Sequence, residues 1–144
     1  MAVHTDEIIA LVRNLYAASG AGDFDTLASL LTDDFFVSEG SHLPMAGTYR
    51  GPRALQELFV KVMGLADIAG LDLLTITANP DGTAIALVRM RFADPALEPV
   101  ELCELFRFRD GKCAEIKPYY FDPAPFHAAV AAKARASQAA SQPA

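Results

Sequence analysis

Apolar and polar residues in the first half of the chain follow the 3.6-residue period of amphipathic helices. Residues 6–18 are the clearest case, because their apolar side chains fall on one broad face and Thr5 precedes them as a candidate N-cap. A short second helix is predicted after Asp23. A third helix is predicted to begin at Pro52, a residue favoured in a first helical turn, and to end at Gly64.

The second half of the chain alternates apolar and polar residues, as β-strands do. Helices followed by a run of antiparallel strands are typical of an α+β fold, with helices packed on one face of a curved sheet. A sheet curved in this way forms a cone that can enclose a pocket. The predicted strands are 34–39, 71–78, 83–93, 99–109 and 112–121, with a loop over 40–51, a last helix over 124–136 and a flexible tail over 137–144. We therefore expect a single domain over residues 1–136.

One acid interrupts an apolar strand face. Glu104 shares a side of its strand with Leu102, Phe106 and Phe108. Burial among these side chains raises the pKa of a carboxyl group and favours its neutral form, which can donate a hydrogen bond to a substrate oxygen. The alternative is a structural acid that pairs with an arginine of a neighbouring strand.

The hairpin that turns at Asp110-Gly111 decides what faces Glu104. A three-residue turn with Gly111 at positive φ places Ile116 opposite Glu104, whereas a two-residue loop places Lys117 there and gives an ordinary ion pair. We prefer the first register, because it keeps Lys117 off the apolar face. The side chains that then share the face of Glu104 are Ile116, Pro118, Tyr120 and Asp122.

The composition of the chain limits the classes of partner that it is expected to bind. The chain has 144 residues, 52% of them hydrophobic, and a net charge of −6, so neither nucleic acid nor an anionic membrane surface is an expected partner. No apolar run approaches the ~20 residues of a membrane span, and the first residues lack the pattern of a signal peptide. We expect Cys103 and Cys113 to lie too far apart to bridge, opposite Lys117 and Arg107 respectively, which suits a reducing, cytoplasmic location.

Cofactor and metal signatures are missing from the sequence. The three histidines are scattered without metal-ligand spacing, and there is neither a phosphate-binding loop nor a dinucleotide fingerprint. We therefore expect no metal and no cofactor, and a small hydrophobic molecule as the partner.

Five short motifs carry a resemblance to the nuclear transport factor 2-like superfamily. They occur in the same order as the predicted elements, and the similarity covers residues 6–126. The motifs are Ala21–Asp25, Leu30–Asp34, Gly47–Gly51, Asp110–Lys112 and Tyr119–Asp122. The branch that the chain resembles is the polyketide-cyclase-like (SnoaL-like) and ketosteroid-isomerase-like group of small-molecule enzymes. The resemblance implies a cone with a strongly curved, mostly antiparallel sheet, helices packed on its concave face around a pocket, and a homodimer formed through the outer face of the sheet.

The same resemblance implies roles for three acids. Glu39 matches the catalytic base of the ketosteroid isomerases, Glu104 matches their protonated oxyanion-hole acid, and Asp122 matches the acid-base aspartate of the polyketide cyclases. The isomerases' helix-1 tyrosine corresponds to Leu15, so that Tyr16 is one residue out of place. The implied chemistry is cofactor-independent proton transfer on an apolar carbonyl compound, of isomerase, cyclase or dehydratase type.

Other residues complete the expected pocket, and two other functions stay open. The expected substrate-binding residues are His42, Tyr49, Phe59, Phe106, Tyr120 and Tyr16. Arg89 and Arg91 are interpreted as outer-face residues or ion-pair partners, because Arg89-Met90-Arg91 does not supply the carboxylate of an epoxide-hydrolase site.

Two functions other than catalysis are also considered. One is a non-catalytic domain that binds a hydrophobic ligand in the same cone, and the other is a dimeric scaffold.

Overall fold

The computed structural model describes residues 4–141 and consists of four helices and one six-stranded sheet. The helices are α1 (Thr5–Gly20), α2 (Phe24–Ser29), α3 (Ala54–Leu65) and α4 (Ala124–Ser141). The strands are β1 (Leu31–Glu39), β2 (Gly47–Arg50), β3 (Ile68–Ala78), β4 (Thr83–Phe92), β5 (Val100–Arg109) and β6 (Lys112–Tyr120). The predicted α+β class is confirmed.

The sheet is open and has the strand order β2-β1-β6-β5-β4-β3. All neighbouring strands are antiparallel except β1 and β6, which pair in parallel. Register shifts interrupt the β1–β6, β3–β4 and β5–β6 ladders. Such irregularities bend strands, and the curved sheet that results has a concave face on which α1 and α3 pack. No helix within residues 4–141 is both long and apolar enough to cross a membrane.

Several predicted boundaries differ from those observed. The segment 47–50, expected to be loop, forms β2 because it pairs with β1, with Tyr49 opposite Val37. The predicted N-cap Thr5 lies inside α1, and His4 occupies the cap position without a side-chain hydrogen bond. Helix α4 continues beyond residue 136 to Ser141, and residues 142–144 of the predicted tail lie outside the described residues.

Both registers considered for the β5–β6 hairpin are wrong. Asp110 and Gly111 have φ of 53° and 77° and form a two-residue turn, which pairs Arg109 with Lys112. The register then shifts by one residue between Arg107 and Phe108, so Glu104 lies opposite Pro118. Because of this shift, Lys117 stays off the apolar face although the turn has only two residues. The preferred register predicts the same position for Lys117.

The two cysteines also have other neighbours than predicted. Cys103 lies opposite Tyr119 and Cys113 opposite Phe108, rather than opposite Lys117 and Arg107. Both are free thiols, as expected, with Cys113 buried and Cys103 half-buried on the outer face of the sheet.

The buried core fills the concave side of the sheet beneath the helices. On β4 every second residue is buried, from Ala84 to Phe92, while Ile85 on the outer face is exposed. Phe126 of α4 is fully buried and contacts Phe92 and Tyr120 with its ring. Helix α4 therefore covers the core at one end of the sheet, beside the last residue of β6.

Candidate active site

A cavity of about 360 Å³ lies between the concave face of the sheet and helices α1 and α3. Its size is in the range of small-molecule sites. Most of its lining is aliphatic or aromatic and comes from α3, β3 and β4. The polar side chains that line it come from α1, β1, β5 and β6: Tyr16, Ser19, Glu39, Glu104 and Tyr120. The cavity thus has an apolar wall and a polar wall that carries two acids.

Glu104 is held by a tyrosine of α1. The Tyr16 hydroxyl donates a hydrogen bond of 2.5 Å to Oε1 of Glu104, and the Tyr16 ring makes an edge contact with Phe106, with 5.9 Å between centroids. Tyr16 thus reaches Glu104 although it is one residue from the position that the resemblance implies. Successive residues of a helix differ in direction by about 100°, so Leu15 enters the core while Tyr16, on the edge of the same face, reaches the cavity.

Glu39 is also buried, but it differs from Glu104 in its hydrogen bonding. It is the last residue of β1, only 7% exposed, and its Oε1 is buried without a hydrogen-bond partner among the described residues. Burial, together with the negative charge of Glu104, raises the pKa of Glu39 to about 8. Glu39 is therefore a neutral carboxylic acid in most molecules at pH 7.

Burial also raises the pKa values of the other titratable groups of the polar wall. Burial raises the pKa of Glu104 as well, but the hydrogen bond from Tyr16 opposes this effect by stabilising the carboxylate. Burial and the nearby acids raise the pKa values of Tyr16 and Tyr120, so both keep their hydroxyl protons. Burial raises the pKa of Cys113 to about 12, which excludes a thiolate nucleophile at this position.

Asp122 does not join the two glutamates. Strand β6 ends at Tyr120, and the alternation that placed Asp122 on the face of Glu104 ends with it. Asp122 is exposed, lies outside the cavity, and accepts a hydrogen bond of 3.0 Å from the backbone N–H of Ala124 at the start of α4. The expected meeting of three acids is thus reduced to two.

The predicted substrate-binding residues divide into two groups. Tyr16, Phe59 and Tyr120 line the cavity, whereas Phe106 is buried behind Tyr16. Tyr49 does not line the cavity, since its hydroxyl donates to the backbone carbonyl of Met45 at 2.8 Å and so holds the β1–β2 loop.

His42 is an exposed loop residue outside the cavity. Its carbonyl oxygen accepts a hydrogen bond of 2.8 Å from Nε2 of His127, which attaches the loop to α4. Arg91 forms an ion pair with Asp72 at 2.8 Å, and Arg89 alternates with the cavity-lining residues of β4 onto the outer face. Both arginines match their interpretation as outer-face residues.

Within residues 4–141 there is no cluster of His, Cys, Asp and Glu side chains that could hold a metal ion.

The cavity residues that the sequence did not indicate include Ser19 at the end of α1 and Met45 in the β1–β2 loop. Neither has a sequence signal of its own, because each reaches the cavity only through the way its loop or helix end packs. The Tyr16–Glu104 pair could have been found by testing residues adjacent to the expected helix-1 position.

We predict that replacing Glu39 with Gln flattens the dependence of stability on pH. The folded pKa of about 8 exceeds the value of 4.5 for an unperturbed glutamate, so the folded protein holds an extra proton between these values. The stability that this proton contributes is complete below the unfolded pKa and is lost as pH rises through 8, a total loss of roughly 4–5 kcal/mol, of which roughly 3 kcal/mol falls above about pH 5.5. Urea unfolding of the wild type and Glu39→Gln from about pH 5.5 to about pH 9 measures the difference.

Asp122→Asn is the matched control, because it removes an exposed carboxylate of the same region without touching the cavity. It should retain the wild-type pH dependence. An equal fall in stability for the wild type and Glu39→Gln over this range would show that Glu39 is ionised in the folded protein.

The chain is similar in sequence to a known protein family and in structure to several solved proteins. The profile of the SnoaL-like domain matches residues 12–116. Bal32a from a soil-derived mobile gene cassette has 22% identity, a TM-score of 0.76, and an alignment that covers 87% of this chain and 97% of that one. A candidate polyketide cyclase from Sinorhizobium meliloti has 21% identity, a TM-score of 0.64, and coverages of 76% and 94%.

A candidate ketosteroid isomerase from Kribbella flavida has 17% identity, a TM-score of 0.66, and coverages of 82% and 80%. No curated protein sequence shows significant similarity to the chain. At these identities the solved structures show a shared fold, and the family profile covers most of the chain. The chain therefore belongs to the SnoaL-like family of the nuclear transport factor 2-like superfamily.

Proposed function

We propose that this protein is a cofactor-independent enzyme that moves a proton next to the carbonyl group of a small apolar compound. The observation that carries the proposal is the pair of acids in one apolar cavity, of which Glu104 has a hydrogen-bond donor and Glu39 has none among residues 4–141. Two titratable groups with environments that separate their protonation states are the usual basis for paired acid and base roles.

The environments of the two acids support a division of roles between them. Tyr16 stabilises the carboxylate form of Glu104, whereas Glu39 keeps its proton at neutral pH. Glu104 is therefore the base that removes the C–H proton, and neutral Glu39 donates a hydrogen bond to the carbonyl oxygen and stabilises the enolate. This assignment is the reverse of the one that the resemblance to ketosteroid isomerases implies.

The proton balance of the step is simple. Glu104 accepts the proton on Oε2, because Oε1 is engaged by Tyr16, and the electron pair of the C–H bond moves into the enolate. Return of the same proton to a different carbon gives an isomer, and return of a solvent proton gives exchange. The apolar wall, which includes Leu58, Phe59 and Met90, holds the hydrocarbon part of the substrate and excludes water.

Hydrogen–deuterium exchange tests the proposed chemistry before the natural substrate is known. In D₂O the protein should accelerate exchange of the α-hydrogens of a small cyclic ketone such as 2-tetralone, followed by proton NMR. Glu104→Gln and Glu39→Gln should each slow the exchange by roughly 10²–10⁴-fold, the range for general acid-base groups and oxyanion donors.

Asp122→Asn controls for the loss of a nearby carboxylate and should exchange at the wild-type rate. If the ketone binds but its exchange is no faster than in buffer, the cone is a binding domain without catalysis. A wild-type rate in Glu104→Gln would remove Glu104 from the mechanism.

We also propose that the protein is a cytoplasmic homodimer. The outer face of the sheet carries apolar side chains on adjacent strands, where Ile85 lies opposite Leu105 and Cys103 lies opposite Tyr119. Ile85 is 42% and Tyr119 is 55% exposed, which is high for large apolar residues on a sheet. The two free thiols suit a reducing compartment.

Thiol reactivity and sedimentation test the dimer together. Analytical ultracentrifugation should give a dimer for the wild type and a monomer for Tyr119→Asp, because a buried unpaired carboxylate opposes association. Cys103 should react slowly with a maleimide in the wild type and faster in Tyr119→Asp, while the buried Cys113 stays unreactive in both. A monomeric wild type with a reactive Cys103 would contradict the proposal.

A further inference from the structure

The acid pair of the cavity has no cation to balance it. Among the described residues 4–141, those that line the cavity include two glutamates but no Lys, Arg or His. The ion pairs of the chain involve other acids, such as Asp34 with Arg109 and Asp72 with Arg91. Buried carboxylates in proteins are normally paired with a cation or protonated. Where buried carboxyl groups face an open cavity, a cation supplied by a ligand can also neutralise their negative charge.

The helix end at the cavity adds to the negative field. Ser19 and Gly20, the last two residues of α1, line the cavity, and the last turn of α1 contains no basic residue. The C-terminal end of a helix carries a partial negative charge. The carboxylate form of Glu104 and this helix end therefore both favour a positive charge in this part of the cavity.

We propose that the cavity binds small apolar amines as ammonium ions, which donate hydrogen bonds to Glu104 and Glu39 and compete with the carbonyl substrate. An ammonium group has three donors. Oε1 of Glu39 is buried without a partner among the described residues, and Tyr16 engages only Oε1 of Glu104, so an ammonium group has an acceptor on each acid. The apolar wall takes the hydrocarbon part of the amine. An anion of the same size is rejected, because nothing in the lining neutralises it.

Binding of an ammonium ion should release a proton. The titratable groups that face the cavity are Tyr16 on α1, Glu39 on β1, Glu104 on β5 and Tyr120 on β6, and the lining of α3, β3 and β4 is uncharged. Both tyrosines remain protonated. A positive charge beside Glu39 lowers its pKa from about 8, so Glu39 is the group that loses the proton near neutral pH.

Three naphthalene compounds of nearly equal size separate the effect of charge from that of shape. These are 2-acetonaphthone, which is neutral, 1-(2-naphthyl)ethylamine, which is cationic at neutral pH, and 2-naphthoate, which is anionic. In isothermal titration calorimetry the amine should bind at least about tenfold more tightly than the ketone, as expected for charge-assisted hydrogen bonds. The naphthoate should bind most weakly, and the amine alone should show a heat that changes with the ionisation enthalpy of the buffer.

Glu104→Gln keeps the size of the side chain and should reduce the amine affinity by about tenfold while changing the ketone affinity less. Asp122→Asn should leave both affinities unchanged. If a variant folds poorly, the wild type supplies the same test, because its amine affinity should rise from about pH 6 to about pH 8.5 as Glu39 loses its proton, and its ketone affinity should not.

An amine that binds no better than the ketone, or no binding of the amine at all, overturns the proposal, as does tight binding of the naphthoate. These outcomes are independent of the exchange experiment. Exchange without amine selectivity would leave the enzyme function in place and remove this inference. Amine selectivity without exchange would do the reverse.

Discussion

The hydrogen bond from Tyr16 to Glu104 is the interaction on which the account of this site depends. It joins α1 to the centre of the sheet, and it gives one of two buried acids a donor that the other lacks within the described part of the chain. Without it, Glu39 and Glu104 would be two desolvated carboxyl groups with similar protonation. With it, the carboxylate form of Glu104 gains a stabilising donor that opposes the effect of burial, and Glu39 has no such donor among the described residues. The proposed division into base and acid follows from that single asymmetry.

The cavity exists because the sheet bends away from its helices. Strands β3 and β4 shift register twice, and the β5–β6 hairpin shifts once near its turn. The shift in the β5–β6 hairpin has a direct consequence for the site, because it places Pro118 rather than Lys117 opposite Glu104. A lysine at that position would neutralise Glu104. The irregular backbone is therefore part of what keeps the acid pair without a cation.

The sequence predicted the parts of this protein that depend on periodicity. The order of helices and strands, the burial of Glu104 on an apolar face and the inward position of Glu39 all follow from alternation or helical spacing. Asp122 was misplaced because alternation says nothing about where a strand ends. The register was misjudged because an irregular ladder leaves no mark in the residue pattern. The contact of Tyr16 with Glu104 does not follow from the pattern, because residue spacing gives the face of a helix but not how far a side chain at the edge of that face reaches.

The measurement that tests the central claim most directly is a carbon-13 NMR titration of the side-chain carboxyl groups of Glu39 and Glu104, in the wild type and in Tyr16→Phe. The account predicts that Glu39 titrates near pH 8. Glu104 should lose its proton first in the wild type and should titrate at higher pH once the tyrosine hydroxyl is removed. Midpoints near the unperturbed value of about 4 for both groups, unchanged in Tyr16→Phe, would mean solvated carboxylates and would contradict the account.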